Sequence, residues 1–100
     1  DEVNPIREFA DRIFHVHAKD ARVLRDKLNE AGILATPLEY HEPKLPGLGE
    51  VKWAEFFAAL AETGYNGAVC IELEDRAFEG SIADRKRGLV QAKKFLEQFL

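Results

Sequence analysis

The sequence predicts an α/β fold whose strands run parallel and belong to a closed barrel rather than an open sheet. Residues 12–20 and 68–74 each alternate apolar and polar side chains with the two-residue period of a strand. The intervening residues 21–67 include helical stretches, so the strands should pair in parallel through a right-handed crossover. One face of the first strand is a ladder of His15, His17 and Lys19, and one face of the second holds Cys70, Glu72 and Glu74. A doubly wound sheet would cover both faces with helices and leave such groups costly to bury. A barrel interior, open at the C-terminal ends of its strands, can accommodate them.

Taken in order, Asn4-Pro5 reads as a helix start, followed by Ile6, Phe9, Ala10 and Ile13 at helical spacing, with the helix ending near Asp11. The first strand follows, with Phe14, Val16 and Ala18 on its apolar face. Val23, Leu24, Leu28 and Ala31 form a helical stripe over 21–31 that Gly32 stops. Residues 33–50, rich in Pro and Gly, read as a long irregular loop of the kind that more often carries function. Trp53, Phe56, Phe57 and Leu60 define an amphipathic helix over 52–63, closed by Gly64. Val69, Ile71 and Leu73 form the apolar face of the second strand. Ser81 then caps a last helix carrying Ile82, Leu89, Ala92, Phe95, Leu96 and Phe99.

Composition narrows the function. The chain is 100 residues long, 46% hydrophobic and 32% charged, which fits one globular domain over 1–100. No apolar run is long enough to span a bilayer, so no membrane partner is expected. A net charge of -4 argues against nucleic acid, and Arg85-Lys86-Arg87 reads as a solvated helix face. With Cys70 as the lone cysteine, no intramolecular disulfide can form and a reducing, cytoplasmic setting is expected, with Cys70 as a small buried filler. The sequence has no methionine and opens on Asp1-Glu2-Val3-Asn4-Pro5, so it reads as a processed chain or a segment of a longer one.

His17, Lys19, Glu72 and Glu74 lie toward the C-terminal ends of their strands, where barrel enzymes place reactive groups. An imidazole and a carboxylate facing one space can bind a divalent metal, although two protein ligands make only part of a site. Structural alternatives stay open at each position. His15 reads as a core histidine, Glu72 as an ion-pair partner of Lys19 or an arginine, and Glu74 as a group emerging at a strand end.

The segments His15-Val16-His17-Ala18-Lys19-Asp20, Leu45-Pro46-Gly47-Leu48-Gly49-Glu50-Val51-Lys52-Trp53, Gly64-Tyr65-Asn66-Gly67 and Ile71-Glu72-Leu73-Glu74 together resemble the xylose isomerase-like TIM-barrel superfamily, in its sugar phosphate isomerase/epimerase branch. The resemblance runs in order over nearly the whole chain. It implies that the chain is the C-terminal part of a (β/α)8 barrel, its last two parallel strands with flanking helices. It further implies that His17 and Glu72 are metal ligands and that Glu72 is an acid/base, with a glutamate and an aspartate from upstream as the remaining ligands and another histidine nearby. Lys44 and Lys52 depart from the family pattern, which often has arginine and aspartate there.

For the full-length protein the resemblance implies isomerisation or epimerisation of a sugar or sugar phosphate through an enediolate. The reaction would depend on a divalent ion (Mn, Mg, Co or Zn), with Glu72 and a carboxylate from upstream moving the proton on carbon, and with Lys19 either neutralising an oxygen or a phosphate or pairing with Asp20 or Glu72. Gly80-Ser81 offers either a phosphate site or an ordinary cap, and Tyr40, His41 and Lys44 offer a lining for the substrate mouth. Two rivals stand beside this. One is a non-catalytic, oligomeric barrel fragment, because unpaired edges favour self-association and a homo-oligomer. The other is metal-dependent phosphodiester hydrolysis of the endonuclease type. The chain by itself is expected to be inactive.

Overall fold

Asp1 accepts the Val3 and Asn4 N–H groups and opens a short helix, α1 (Val3–Glu8), which buries Ile6. The computed structural model describes residues 1–100. The helix ends before Asp11: Phe9 N–H closes it on Pro5 O at 3.0 Å, and a 3-10 turn follows over Ala10–Arg12. Strand β1 (Val16–Ala18) is shorter than the alternation suggests, and only Val16 and Ala18 of its apolar side are buried. Phe14, expected on that side, is 84% exposed because it precedes the strand.

The larger revision concerns residues 20–44. Asp20–Val23 form β2, and helix α2 is confined to Arg25–Ala31, ending at Gly32, whose φ of +80° suits glycine. The stretch 33–50 is not irregular throughout. It contains a one-turn helix, α3 (Pro37–Tyr40), and strand β3 (His41–Lys44). Glu39 accepts the Thr36 N–H at 2.8 Å, and Pro37 stands in the first turn of α3, where its missing N–H costs nothing. β3 lies antiparallel to β2, in register Asp20↔Lys44 to Val23↔His41.

Helix α4 (Trp53–Glu62) follows the loop, and the chain returns as β4 (Val69–Ile71). β4 pairs with β1 in parallel, with Val16↔Val69, His17↔Cys70 and Ala18↔Ile71. Glu72 N–H extends this ladder to Ala18 O at 3.0 Å. Helix α5 (Ile82–Glu97) is capped by Ser81, whose hydroxyl oxygen accepts Asp84 N–H at 3.0 Å. No helix is long and apolar enough to cross a membrane.

The main core joins Ile6, Val16 and Ala18 to Trp53, Phe57, Ala59 and Leu60 of α4 and Leu96 of α5. Phe57 stacks on Phe99 with centroids 5.9 Å apart, tying α4 to the residues that follow α5. A second cluster of Leu45, Phe78 and Ala92 lies under the loop.

Two fully buried carboxylates fix the loop to the strand ends. Asp20 Oδ1 accepts the N–H groups of Ala21 (2.8 Å) and Val51 (3.0 Å). Its Oδ2 accepts Gly47 N–H (3.0 Å) and the Trp53 indole N–H (2.8 Å). Asp75, just beyond β4, accepts Leu45 N–H at 3.1 Å and Ala77 N–H at 3.0 Å. Lys44, its side chain turned inward, brings Nζ to 3.8 Å from Asp75. The Leu45-Pro46-Gly47 segment is therefore held from one end by a carboxylate following β1 and from the other by one following β4. Gly49 lies so close that an added Cβ would collide with the Asp20 carboxylate and come to 2.6 Å from Ala21 O. Gly49→Ala is expected to destabilise the fold by about 2–3 kcal/mol, the scale of overpacking a filled site. A urea midpoint unchanged by the substitution would show that the loop can move away.

Candidate functional site

The parallel register sets the two polar ladders side by side, so His15, His17, Lys19, Cys70, Glu72 and Glu74 share one side of the β1–β4 pair. Period-two alternation turns their Cβ atoms away from the core that holds Val16 and Ala18. His17 Nδ1 and Glu72 Oε1 are in direct hydrogen-bond contact across the two strands. The pair is accessible, with the His17 side chain 56% and the Glu72 side chain 32% exposed, so a ligand can reach the donor atoms.

Lys19 lies one step toward the C-terminal end. Its ammonium is 2.6 Å from Glu74 Oε2 and 3.8 Å from Glu72 Oε2. The hydrogen bond to Glu74 raises the Lys19 pKa above its ordinary value, so Lys19 is a cation at neutral pH. Lys19 does not pair with Asp20, whose carboxylate is turned into the core. Glu74 is the principal partner of Lys19 and not merely a strand-end group. Glu72 divides its two oxygens between an imidazole and an ammonium.

The donor chemistry fits a divalent ion. An imidazole nitrogen and a carboxylate oxygen are already brought together, and both suit Zn²⁺ or the harder Mn²⁺ and Mg²⁺. Two ligands leave most coordination positions to other groups. His15 is exposed rather than packed in the core, with its ring edge-on to that of His17 at 4.9 Å between centroids. Cys70, expected as a buried filler, is also exposed, because it shares the outward parity of Glu72.

The other sequence candidates are placed differently. His41 lines a cleft of about 330 Å³ with Lys27, Glu42, Glu74 and Arg76, so this cleft meets the β1–β4 ladder at Glu74. Tyr40 and Lys44 are outside its lining, Lys44 being committed to Glu42 and Asp75. At Gly80-Ser81 the ordinary cap is the one formed: Ser81 donates to Asp84 Oδ2 at 2.8 Å, and that carboxylate sits where a bound phosphate would be repelled.

Asp20 and Asp75 also build the site, and their positions in the sequence carry the signal. Asp20 continues the parity of Val16 and Ala18, and Asp75 continues that of Ile71 and Leu73. A carboxylate on the apolar side of a strand must find buried donors. Here it finds the loop.

The family described as xylose isomerase-like TIM barrel matches residues 1–99. An uncharacterized protein of Bacillus subtilis strain 168, YfiH, is 34% identical over 84 residues, covering 75% of this chain and 26% of its own length. Inosose dehydratases of two Clostridium perfringens strains are 25% identical over 104 residues, covering 98% of this chain and 33% of theirs. The chain thus spans about a quarter to a third of the length of the curated relatives it matches.

Proposed function

The chain belongs to the xylose isomerase-like TIM-barrel family, and from that premise we propose that it supplies the last two strands of a (β/α)8 barrel in an enzyme that converts a sugar, sugar phosphate or related polyol. In this proposal His17 and Glu72 are two of the ligands of a divalent ion, Glu72 also transfers a proton, and Lys19 neutralises charge. The contact between His17 and Glu72 across neighbouring parallel strands carries the reading. It brings together an imidazole and a carboxylate 55 residues apart, on the accessible side of the sheet and at the strand ends where barrels bind substrate.

A bound divalent ion would supply Lewis-acid polarisation of a substrate carbonyl. Glu72 takes the proton from the carbon beside that carbonyl and returns it at the neighbouring carbon, giving isomerisation; for epimerisation a second carboxylate, from outside this chain, returns it on the opposite face. Lys19, held in place by Glu74, donates to the oxygen on which negative charge develops. Asp20 and Asp75 keep the loop and both strand ends in register, so these groups stay within reach of one substrate.

Dehydration is the second reading, favoured by the inosose dehydratase relatives that align with 98% of the chain. It can begin with the same removal of a proton beside a carbonyl, so the two readings share their first step. The exposed Phe14, Ile33 and Leu34 fit surfaces that other barrel strands or a second copy would cover.

The test is exchange. The intact protein with Mn²⁺ or Mg²⁺ is expected to move solvent deuterium onto the carbon beside the carbonyl of a ketose or inosose in a substrate panel. Glu72→Gln should slow that exchange by about 10²–10⁴-fold, the usual worth of a positioned acid/base. Exchange as fast in Glu72→Gln as in the parent would remove Glu72 from the chemistry. Product analysis separates rearranged sugars from loss of water.

A further inference from the structure

The six side chains on the polar side of the β1–β4 pair divide by chemistry along the strand direction. Toward the C-terminal ends lie the oxygens of Glu72 and Glu74, with Lys19 between them. Toward the N-terminal ends lie an imidazole and a thiol, His15 and Cys70. His17 stands at the boundary, opposite Cys70 in the ladder and in contact with Glu72. One ligand atom each from His15, His17 and Cys70 lie within 4.8 Å of one another, and all three residues are exposed.

We infer that His15, His17 and Cys70 form a second cation site, selective for thiophilic ions such as Zn²⁺, Cd²⁺ or Co²⁺. Zinc bond lengths of about 2.0–2.3 Å to nitrogen and sulfur set ligand-to-ligand spacings of roughly 3.4–3.8 Å in a tetrahedron. The observed spread is about 1 Å wider, a gap that rotation of exposed side chains closes without moving the backbone. Cys70 is a free thiol. On binding it loses its proton to solvent, and the resulting thiolate with two imidazoles forms a set that soft and borderline ions prefer to Mg²⁺ or Mn²⁺. Water completes the fourth position. With Nδ1 in contact with Glu72, the His17 ring has Nε2 left for the ion, and Glu72 then orients a metal-bound imidazole. The site does not rest on the reading given above.

The experiment is a Co²⁺ titration of the reduced, metal-free intact protein, followed by near-ultraviolet absorption. A thiolate-to-cobalt charge-transfer band is expected. It should vanish in Cys70→Ser and Cys70→Ala, weaken in affinity by about 10–100-fold in His15→Ala, and persist in Glu72→Gln. Circular dichroism shows whether each variant is folded, and the two Cys70 variants back each other. Absence of Co²⁺ binding, binding with no thiolate band, or a band that survives in both Cys70 variants would each overturn the inference. A separate Mn²⁺ titration keeps the two ideas apart. If Glu72→Gln leaves Mn²⁺ affinity unchanged while the cobalt band still depends on Cys70, the His17–Glu72 reading fails and the thiophilic site stands.

Discussion

Replacing Asp20 with alanine is expected to lower stability by about 4 kcal/mol or more. The side chain is 1% exposed and satisfies four N–H donors, from Ala21, Gly47, Val51 and the Trp53 indole. Each donor left buried without a partner costs about 1–3 kcal/mol, and a water entering the cavity recovers only part of that. The cost falls on a domain whose whole stability is of the order of 5–15 kcal/mol. Asp20→Asn keeps one acceptor oxygen but turns an NH₂ group toward backbone or indole donors, so about half the loss is expected. Urea unfolding with an unchanged m-value gives the comparison. A loss below 1 kcal/mol for Asp20→Ala would mean that the loop is held by its apolar contacts and not by the carboxylate.

His17→Ala is expected to have the opposite profile, leaving the fold intact and removing activity. The His17 side chain is 56% exposed, so its truncation should shift stability by no more than about 0.5 kcal/mol. Turnover of the intact protein should fall about a thousandfold, corresponding to roughly 4 kcal/mol of lost transition-state stabilisation. Raising the divalent-ion concentration should recover part of it, since the loss lies in holding the ion and in orienting Glu72. Normal activity in a folded His17→Ala protein would exclude His17 from the site.

Much of the strand chemistry was legible because alternation in a strand is strict. The parity that puts Val16 and Ala18 inside also puts His15, His17 and Lys19 on the other side, and likewise for Cys70, Glu72 and Glu74. The parallel pairing followed from the helices between the strands, and the register then brought His17 against Glu72. The antiparallel pairing of β2 with β3 was not legible. His41-Glu42-Pro43-Lys44 has neither alternation nor β-branched residues, and it is extended only because Asp20–Val23, far away in sequence, pairs with it. Nor does Ala21-Arg22-Val23 announce a strand when read beside a helical stripe that continues to Ala31. Phe14 was misplaced because alternation does not show where a strand begins. Residue type alone points Cys70 inward, but the parity it shares with Glu72 turns it outward.

Pulsed electron paramagnetic resonance of Mn²⁺ bound to the intact protein tests the His17–Glu72 proposal most directly. A nitrogen hyperfine coupling from a directly coordinated imidazole is expected in the parent and lost in His17→Ala, with Mn²⁺ affinity falling in Glu72→Gln. A nitrogen coupling unchanged by the loss of the imidazole at position 17 would contradict it.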